Sequence, residues 1–271
     1  MQHFSADSLI LRSTVRGEHD RSICVLCAER GRFYAIVKGA GAMHRREVAA
    51  TEPYTWSNIE YYEKNDIKWV KNAASKESFA GIRYDMDKLF LAAYIAEVAY
   101  ELSDEREPAG EILPLTLNTL HMLSRTDGEN ARIKAAFELR AACVAGFSPD
   151  LSRCAVCQKP ADGEVYLDVA GGTLICRACH QRAQQTLPRE AVDDAGERTA
   201  LFPLDASALA AFDYVERADP KRVFAFRLED KNSLAAFCAA AEGYLLYHLE
   251  RGFPTLENYK KLAALAPKTT E

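Results

Sequence analysis

The chain holds no apolar run approaching ~18 residues, so no stretch of it reads as a membrane-spanning helix. Its opening, Met1-Gln2-His3-Phe4, lacks the basic-then-apolar order of a secretion signal. There is no Gly-x4-Gly-Lys-Ser/Thr loop to cradle a nucleoside triphosphate, and no Gly-x-Ser-x-Gly nucleophile turn. A zinc deaminase needs His-x-Glu alongside Pro-Cys-x2-Cys, with the Glu moving the proton. Here His44-x2-Glu47 has the wrong spacing, and no cysteine pair follows a proline. Repeats and low-complexity tracts are absent. So is any excess of positive charge, since the formal net charge is −5. That balance argues against a polyanionic partner for the chain taken whole. Residues 1–80, however, hold 12 Lys/Arg against 10 Asp/Glu, so the acidity lies beyond them and a local basic patch remains open.

Eight cysteines are present. With no export signal they suggest a reducing compartment, where paired Cys-x2-Cys motifs bind metal more often than they form disulfides. Four of them are ordered Cys154-x2-Cys157, eighteen residues, Cys176-x2-Cys179. Two such pairs at that separation read as a zinc site. Each pair sits on a tight turn, and the segment between them closes the turns onto one ion. Four sulfurs fill the tetrahedral shell of Zn²⁺ and leave no place for water or substrate, so the expected role of the metal is structural. A redox dithiol would want one Cys-x2-Cys beside a βαβ unit, and none is visible. His180, directly after Cys179, reads as a bystander. Cys24-x2-Cys27 falls in a strand, where residues three apart face opposite ways. Those two, like Cys143 and Cys238, read as small buried side chains.

The first eighty residues carry five short β-rich stretches, at 8–14, 22–28, 32–38, 54–62 and 67–73, separated by turn residues. Five strands in that length suit a Greek-key barrel of the oligonucleotide-binding (OB) type. Helical periodicity follows at 86–103, 111–124 and 131–145, then resumes at 205–218 and 232–250 with Asp205 and Asn232 as caps. Gly252 and Pro254 close the last helix. The segment between the cysteine pairs reads as a hairpin about Gly171-Gly172, and 184–203 as polar loop. The expected architecture is α+β. A five-stranded OB barrel fills 1–80, and an all-α domain fills 81–271. A four-cysteine zinc ribbon is inserted at about 150–183, and the helices on either side of it pack together.

One face of the strand 32–38, with Phe33, Ala35 and Val37, should fill the barrel. The other presents Arg32, Tyr34, Ile36 and Lys38. With Arg12, Arg16, Arg21, Arg45 and Arg46 these make a candidate phosphate-binding surface, Tyr34 serving as a stacking platform. Single-strand sites combine cations along the backbone with aromatics that accept any base. Glu18, Asp20, Glu29 and Glu47 lie close by, so the same stretch reads equally as a solvated face of mixed charge.

The order of these motifs resembles the RecO family of bacterial recombination mediators, over roughly residues 5–260. The resemblance is carried by Gly17-Glu18-His19-Asp20 between two strands, by Lys38-Gly39-Ala40 at the end of a third, and by Phe137 to Arg140 before the cysteines. Gly146-Phe147-Ser148-Pro149-Asp150-Leu151 then leads into Cys154. The resemblance implies a non-enzymatic, cytoplasmic, nucleoid-associated factor of the RecF pathway. It implies binding to single- and double-stranded DNA, annealing of complementary strands, and work with RecR to load RecA onto strands coated by single-stranded-DNA-binding protein. The coating protein's acidic tail is expected on the helical domain, with Arg132, Arg140 and Arg251 as candidate contacts. The loop after Ala40 departs from the family. It reads Gly41-Ala42-Met43-His44 before Arg45-Arg46, where Arg and Lys are usually denser. That implies DNA affinity that is weaker or spread over other surfaces. A rival reading makes the barrel a docking platform for protein.

Overall fold

A computed structural model describes residues 3–39, 45–161, 163–186 and 201–265, with the side chains of 45–47 and 186 outside that set. The chain divides into two compact units, Met1–Asn130 with Phe253–Glu271, and Ala131–Gly252.

In the first unit, strands β1 (His3–Arg16), β2 (Asp20–Cys27) and β3 (Gly31–Val37) form an antiparallel meander. A short helix α1 (Arg45–Ala50) leads to the hairpin of β4 (Trp56–Lys64) and β5 (Ile67–Glu77). β4 returns to pair with β1, and β5 meets β3 in parallel through Ile36 and Trp69, which closes a barrel in the order β1-β2-β3-β5-β4. This is the Greek-key closure expected of an OB barrel. Alternation decides the interior: Ile10, Ile23, Val25, Phe33, Ile59 and Tyr61 point inward and are buried. Each large side chain there contributes about 1.5–3 kcal/mol by leaving water. Cys27 belongs to that interior and Cys24 does not, so the two face opposite sides as strand geometry requires.

Helices α2 (Ala80–Arg83), α3 (Met86–Glu101), α4 (Ile112–Arg125) and, after the second unit, α9 (Pro254–Leu265) complete the first unit. Asp85 caps α3 by accepting from the Lys88 N–H at 3.1 Å. The chain after α3 runs against the β2–β3 turn. Arg32 N–H donates to the Asp104 carbonyl at 2.8 Å, and Ala109 N–H to that of Ala28 at 3.0 Å. Gly31 makes this approach possible. Its φ is +62°, and a Cβ would collide with the carbonyl oxygens of Asp104 and Glu107. Gly31→Ala is therefore expected to cost about 2 kcal/mol or more, read as a lowered denaturant midpoint with an unchanged slope.

The second unit is built around α5 (Asn130–Val144), which is buried continuously from Arg132 to Leu139. A helix hydrophobic on one stripe only would sit at the surface; this one is covered nearly all round. After it come β6 (Asp150–Cys154), β7 (Val165–Asp168), β8 (Thr173–Cys176), α6 (Arg177–Thr186), β9 (Leu201–Leu204), α7 (Ala206–Arg217) and α8 (Lys231–His248). The four short strands form one sheet in the order β6-β8-β7-β9. The expected hairpin about Gly171-Gly172 is β7–β8. The helices flanking the cysteines do pack together, through Lys134 to Glu242 and Arg140 to the Glu216 carbonyl.

Three sequence expectations change. The polar loop read over 184–203 is α6 as far as 186, and its last residues are β9; 187–200 lie outside the described residues. β9 has no alternation of its own and exists by pairing with the free side of β7. α8 is capped by Asp230, which accepts from Ser233 N–H at 2.7 Å, and not by Asn232, which lies inside the first turn. Pro254 does not end the helical part; it opens α9. A proline costs nothing at a first helical position, where its missing N–H would have had no partner.

Candidate functional site

The four cysteines come from three local structures. Cys154 ends β6, Cys157 lies in the turn behind it, Cys176 ends β8, and Cys179 stands in the first turn of α6. Their four sulfurs lie within 4.8 Å of one another. Cys157 Sγ and Cys176 Sγ are 3.8 Å apart, the edge of a tetrahedron whose metal–sulfur bonds are about 2.3 Å. The Cys176 N–H donates to Cys154 Sγ at 3.3 Å, and Arg182 Nη2 approaches Cys179 Sγ at 3.5 Å. Such donors stabilise thiolate charge and fix ligand orientation.

The thiols are already inequivalent without a cation. Burial opposes ionisation of Cys154, but the backbone N–H groups of Cys176, Cys157 and Val156 outweigh it and bring its pKa down to about 6. Cys179 goes the other way, to about 12, through burial and the hydrogen bonds of the other three cysteines. A negative charge is thus accommodated on Cys154 and resisted on Cys179. The donor set fits a metal ion held by four sulfurs. Metal uptake there releases protons and strengthens as pH rises.

The barrel residues read as a nucleic-acid surface separate into groups. Arg12, Arg32 and Tyr34 come together around Tyr100 on α3. The guanidinium of Arg32 lies 3.7 Å from the Tyr100 ring centroid, and that of Arg12 lies 5.1 Å away. Arg32 Nη1 also donates to the Tyr100 carbonyl at 2.7 Å. The Tyr34 and Tyr100 hydroxyls are 2.9 Å apart, and burial together with that bond raises the Tyr34 pKa. The register explains the grouping: Arg12 pairs with Cys24 and Cys24 with Tyr34, one row across the outer face. Arg12 and Tyr34 stay exposed, while Arg32 is half-buried.

The other residues lie apart from this group. Arg21 belongs to the inward-facing set, at the barrel's end, and is held by Glu52 at 2.6 Å. Arg16 is exposed opposite Asp20 at the hairpin end. Lys38 is exposed, with its Nζ 4.6 Å above the Trp69 ring. Arg45 and Arg46 open α1, and their side chains lie outside the described residues. In the second unit Arg132 is buried and donates to the carbonyls of Phe224 and Phe226 at 2.9 and 3.1 Å. Arg140 donates to the Glu216 carbonyl at 2.6 Å, and Arg251 is exposed.

Sequence reasoning missed Tyr100, the residue that organises the barrel cluster. It sits in a helix whose apolar pattern marks core, and nothing local says which ring meets a strand. Trp69 carried a usable signal, an aromatic flanked by Lys68 and Lys71 in a stretch already read as a strand.

A closed OB-type barrel joined to a helical region that carries a four-cysteine cluster defines a class of two-part, ribbon-bearing barrel proteins. Comparison with known proteins makes the class specific. Residues 1–79 match the family description "Recombination protein O N terminal", and residues 83–257 match "Recombination protein O C terminal". Among curated proteins, the DNA repair protein RecO of Anaeromyxobacter dehalogenans is 33% identical over 214 residues, covering 78% of this chain and 82% of that protein. The DNA repair protein RecO of Acetivibrio thermocellus is 24% identical over 262 residues, covering 97% and 98%. The chain belongs to the RecO family of DNA repair proteins. Among the described residues no helix is long and apolar enough to cross a membrane.

Proposed function

We propose that this protein is a non-enzymatic mediator of DNA repair and recombination in the RecF pathway. It binds single- and double-stranded DNA, anneals complementary strands, and with RecR helps load RecA onto strands coated by single-stranded-DNA-binding protein. The observation that carries this reading is an OB-type barrel, in a RecO-family chain, whose outer face presents Arg12, Tyr34 and Lys38 to solvent. In this reading residues 1–80 hold the DNA, and 81–271 recruit partners, including the tail of the coating protein. Of the three candidate tail contacts, Arg251 is the exposed one. The ribbon at about 150–183 is braced by Zn²⁺ on Cys154, Cys157, Cys176 and Cys179. The bound ion supplies cross-linking and no open coordination position. Annealing needs no bond to be made or broken. It needs two backbones brought close with their repulsion partly neutralised, in a protein of the cytoplasm and nucleoid.

The test is an annealing assay on coated complementary strands, with and without RecR, beside a salt titration of binding. Affinity is expected to fall steeply with salt, because each neutralised phosphate releases a counterion. Replacing Arg45 and Arg46 together with Glu is expected to weaken binding across all sequences. It should also flatten the log K against log salt slope by about 1.4 on single strands, roughly 0.7 for each phosphate no longer neutralised. Affinity indifferent to salt, with annealing intact in the double variant, would favour the protein-docking reading instead.

A further inference from the structure

The outer face of an OB barrel usually receives its strand across β2 and β3. Here that sector is half covered. Leu26 and Cys24 on β2 are buried, Arg32 is packed on Tyr100, and Tyr34 is tied to the Tyr100 hydroxyl. In the opposite sector the register brings rings together, with His3 exposed and Tyr62 and Trp69 half-buried. His3 pairs with Tyr62, and Tyr62 pairs with Trp69, so β1, β4 and β5 each place one ring in a single row of the outer face. The row ends at β3, where Trp69 meets Ile36. Neighbouring strands are about 4.8 Å apart, so the rings are spaced to meet successive partners. His3 and Tyr62 have centroids 6.1 Å apart with planes tilted at 59°, and they do not seal one another's faces by stacking.

Charge surrounds the row. Lys38 lies over Trp69 on a long exposed stem that can swing to a phosphate. Lys64 follows Tyr62 by two residues on the same face, and Lys71 is the extra residue where the β4–β5 register shifts. All three are exposed and make no ion pair among the described residues. Elsewhere on the barrel, Arg21, Lys68 and Lys76 are neutralised by Glu52, Glu63 and Asp7. One carboxylate, Glu60, stands in the adjacent row, opposite Ser5 and Asn72 and one position from Lys71.

We propose that the row His3–Tyr62–Trp69, edged by Lys38, Lys64 and Lys71, is a stacking track for single-stranded nucleic acid, distinct from the Tyr100-covered face. Aromatics accept bases of any sequence, and the lysines follow the backbone. The proposal rests on the reading that the barrel binds DNA, and it names where on the barrel a strand runs.

The two tryptophans of the chain make the test direct. Trp56 lies six residues along β4 from Tyr62, roughly 20 Å away, so Trp56→Phe leaves Trp69 as the sole reporter without touching the row. The full-length variant is titrated with fluorescein-labelled oligothymidylate, and binding by anisotropy is followed beside Trp69 emission. Saturable quenching in step with anisotropy is expected, with none from an abasic oligomer of equal length. Tyr62→Ala should weaken binding about fivefold or more, as should Lys71→Glu, whose side chain is exposed and whose fold is not at risk. If the oligonucleotide binds while Trp69 emission stays flat, or if Tyr62→Ala binds like its parent, the track is refuted and barrel binding by another face stands. If the parent protein does not bind at all, the DNA-binding reading itself fails.

Discussion

Cys176→Ser is expected to release the metal and melt the cysteine end of the ribbon while the barrel keeps its structure. The sheet β6-β8-β7-β9 has few large buried side chains of its own, among them Val165, Leu167, Leu174 and Leu204. A module of that size does not hold together on apolar burial alone. Its two ends are supported differently. A Cβ on Gly243 of α8 would run into the Phe202 ring of β9, and one on Gly172 would meet the Tyr244 hydroxyl of α8, so the β7–β9 side rests closely on a helix. β6, the turn at Cys157 and the start of α6 converge on the sulfurs. Structural zinc contributes about 10–16 kcal/mol of apparent binding energy in isolated fingers, and a serine oxygen replaces a thiolate poorly. Part of that loss should appear here as destabilisation on the order of 5 kcal/mol, a drop of roughly 10–20 °C in Tm for a unit of this size. Hydrogen exchange should quicken most at 150–158 and 176–186, less in β7 and β9, and not in β1–β5. Cobalt exchange into the parent should give the charge-transfer bands of four thiolates, and the variant should lose them. Metal release with an unchanged melt would show that the ribbon stands without it. Cystine bridges in the purified protein would remove the site altogether.

The quartet is legible in the sequence because ligand spacing is a property of the chain alone: two tight turns need two residues between their sulfurs whatever surrounds them. The barrel strands and α3, α4 and α5 are legible for a similar reason, since periodicity records which positions are covered. What the chain alone does not carry is the identity of the cover. Leu26 and Arg32 belong to the outer face of the barrel, which strand alternation reads as solvent-facing, yet Leu26 is buried and Arg32 packs on Tyr100 of α3. Arg132 and Arg140 are candidate tail contacts by sequence, and in the structure both are engaged by backbone carbonyls. β9 and α9 were invisible for a different reason. Pro203 and Pro254 break the patterns by which strands and helix ends are found, and only pairing with β7 and packing on α3 make those segments regular. The candidate metal centre was therefore readable from spacing, whereas the division of the basic barrel residues among Tyr100, Glu52 and Trp69 required the register.

Lys134→Met is expected to destabilise the second unit by about 3–5 kcal/mol, because it removes the lysine cation paired with a buried carboxylate. Lys134 Nζ lies 2.7 Å from Glu138 Oε1 and 2.7 Å from Glu242 Oε2. The Glu138 side chain is 0% exposed, on the helix that the unit is built around, and Glu242 is 21% exposed. Burial works against the charge on Lys134, but Glu138 and Glu242 more than offset it and raise its pKa above the ordinary value. A raised lysine pKa means that the stabilisation is fully present below the unfolded value, about 10.5, and is lost as pH climbs through the folded one. The parent should thus hold this contribution throughout the neutral range and lose it only in strong alkali. The variant should behave differently. Without the lysine, burial of the Glu138 side chain opposes its charge, so the variant is expected to lose more stability where carboxylates are ionised than where they are protonated. Melts at pH 7 and pH 5 should therefore show a larger deficit at pH 7. Adding Glu138→Leu to Lys134→Met should recover much of the deficit, since a buried ion pair exchanged for packed apolar groups is often neutral or better, and Glu242 can reach water. A single variant as stable as the parent at pH 7 would mean that water or another cation already reaches Glu138, and that the centre of the helical unit is wetter than its burial indicates.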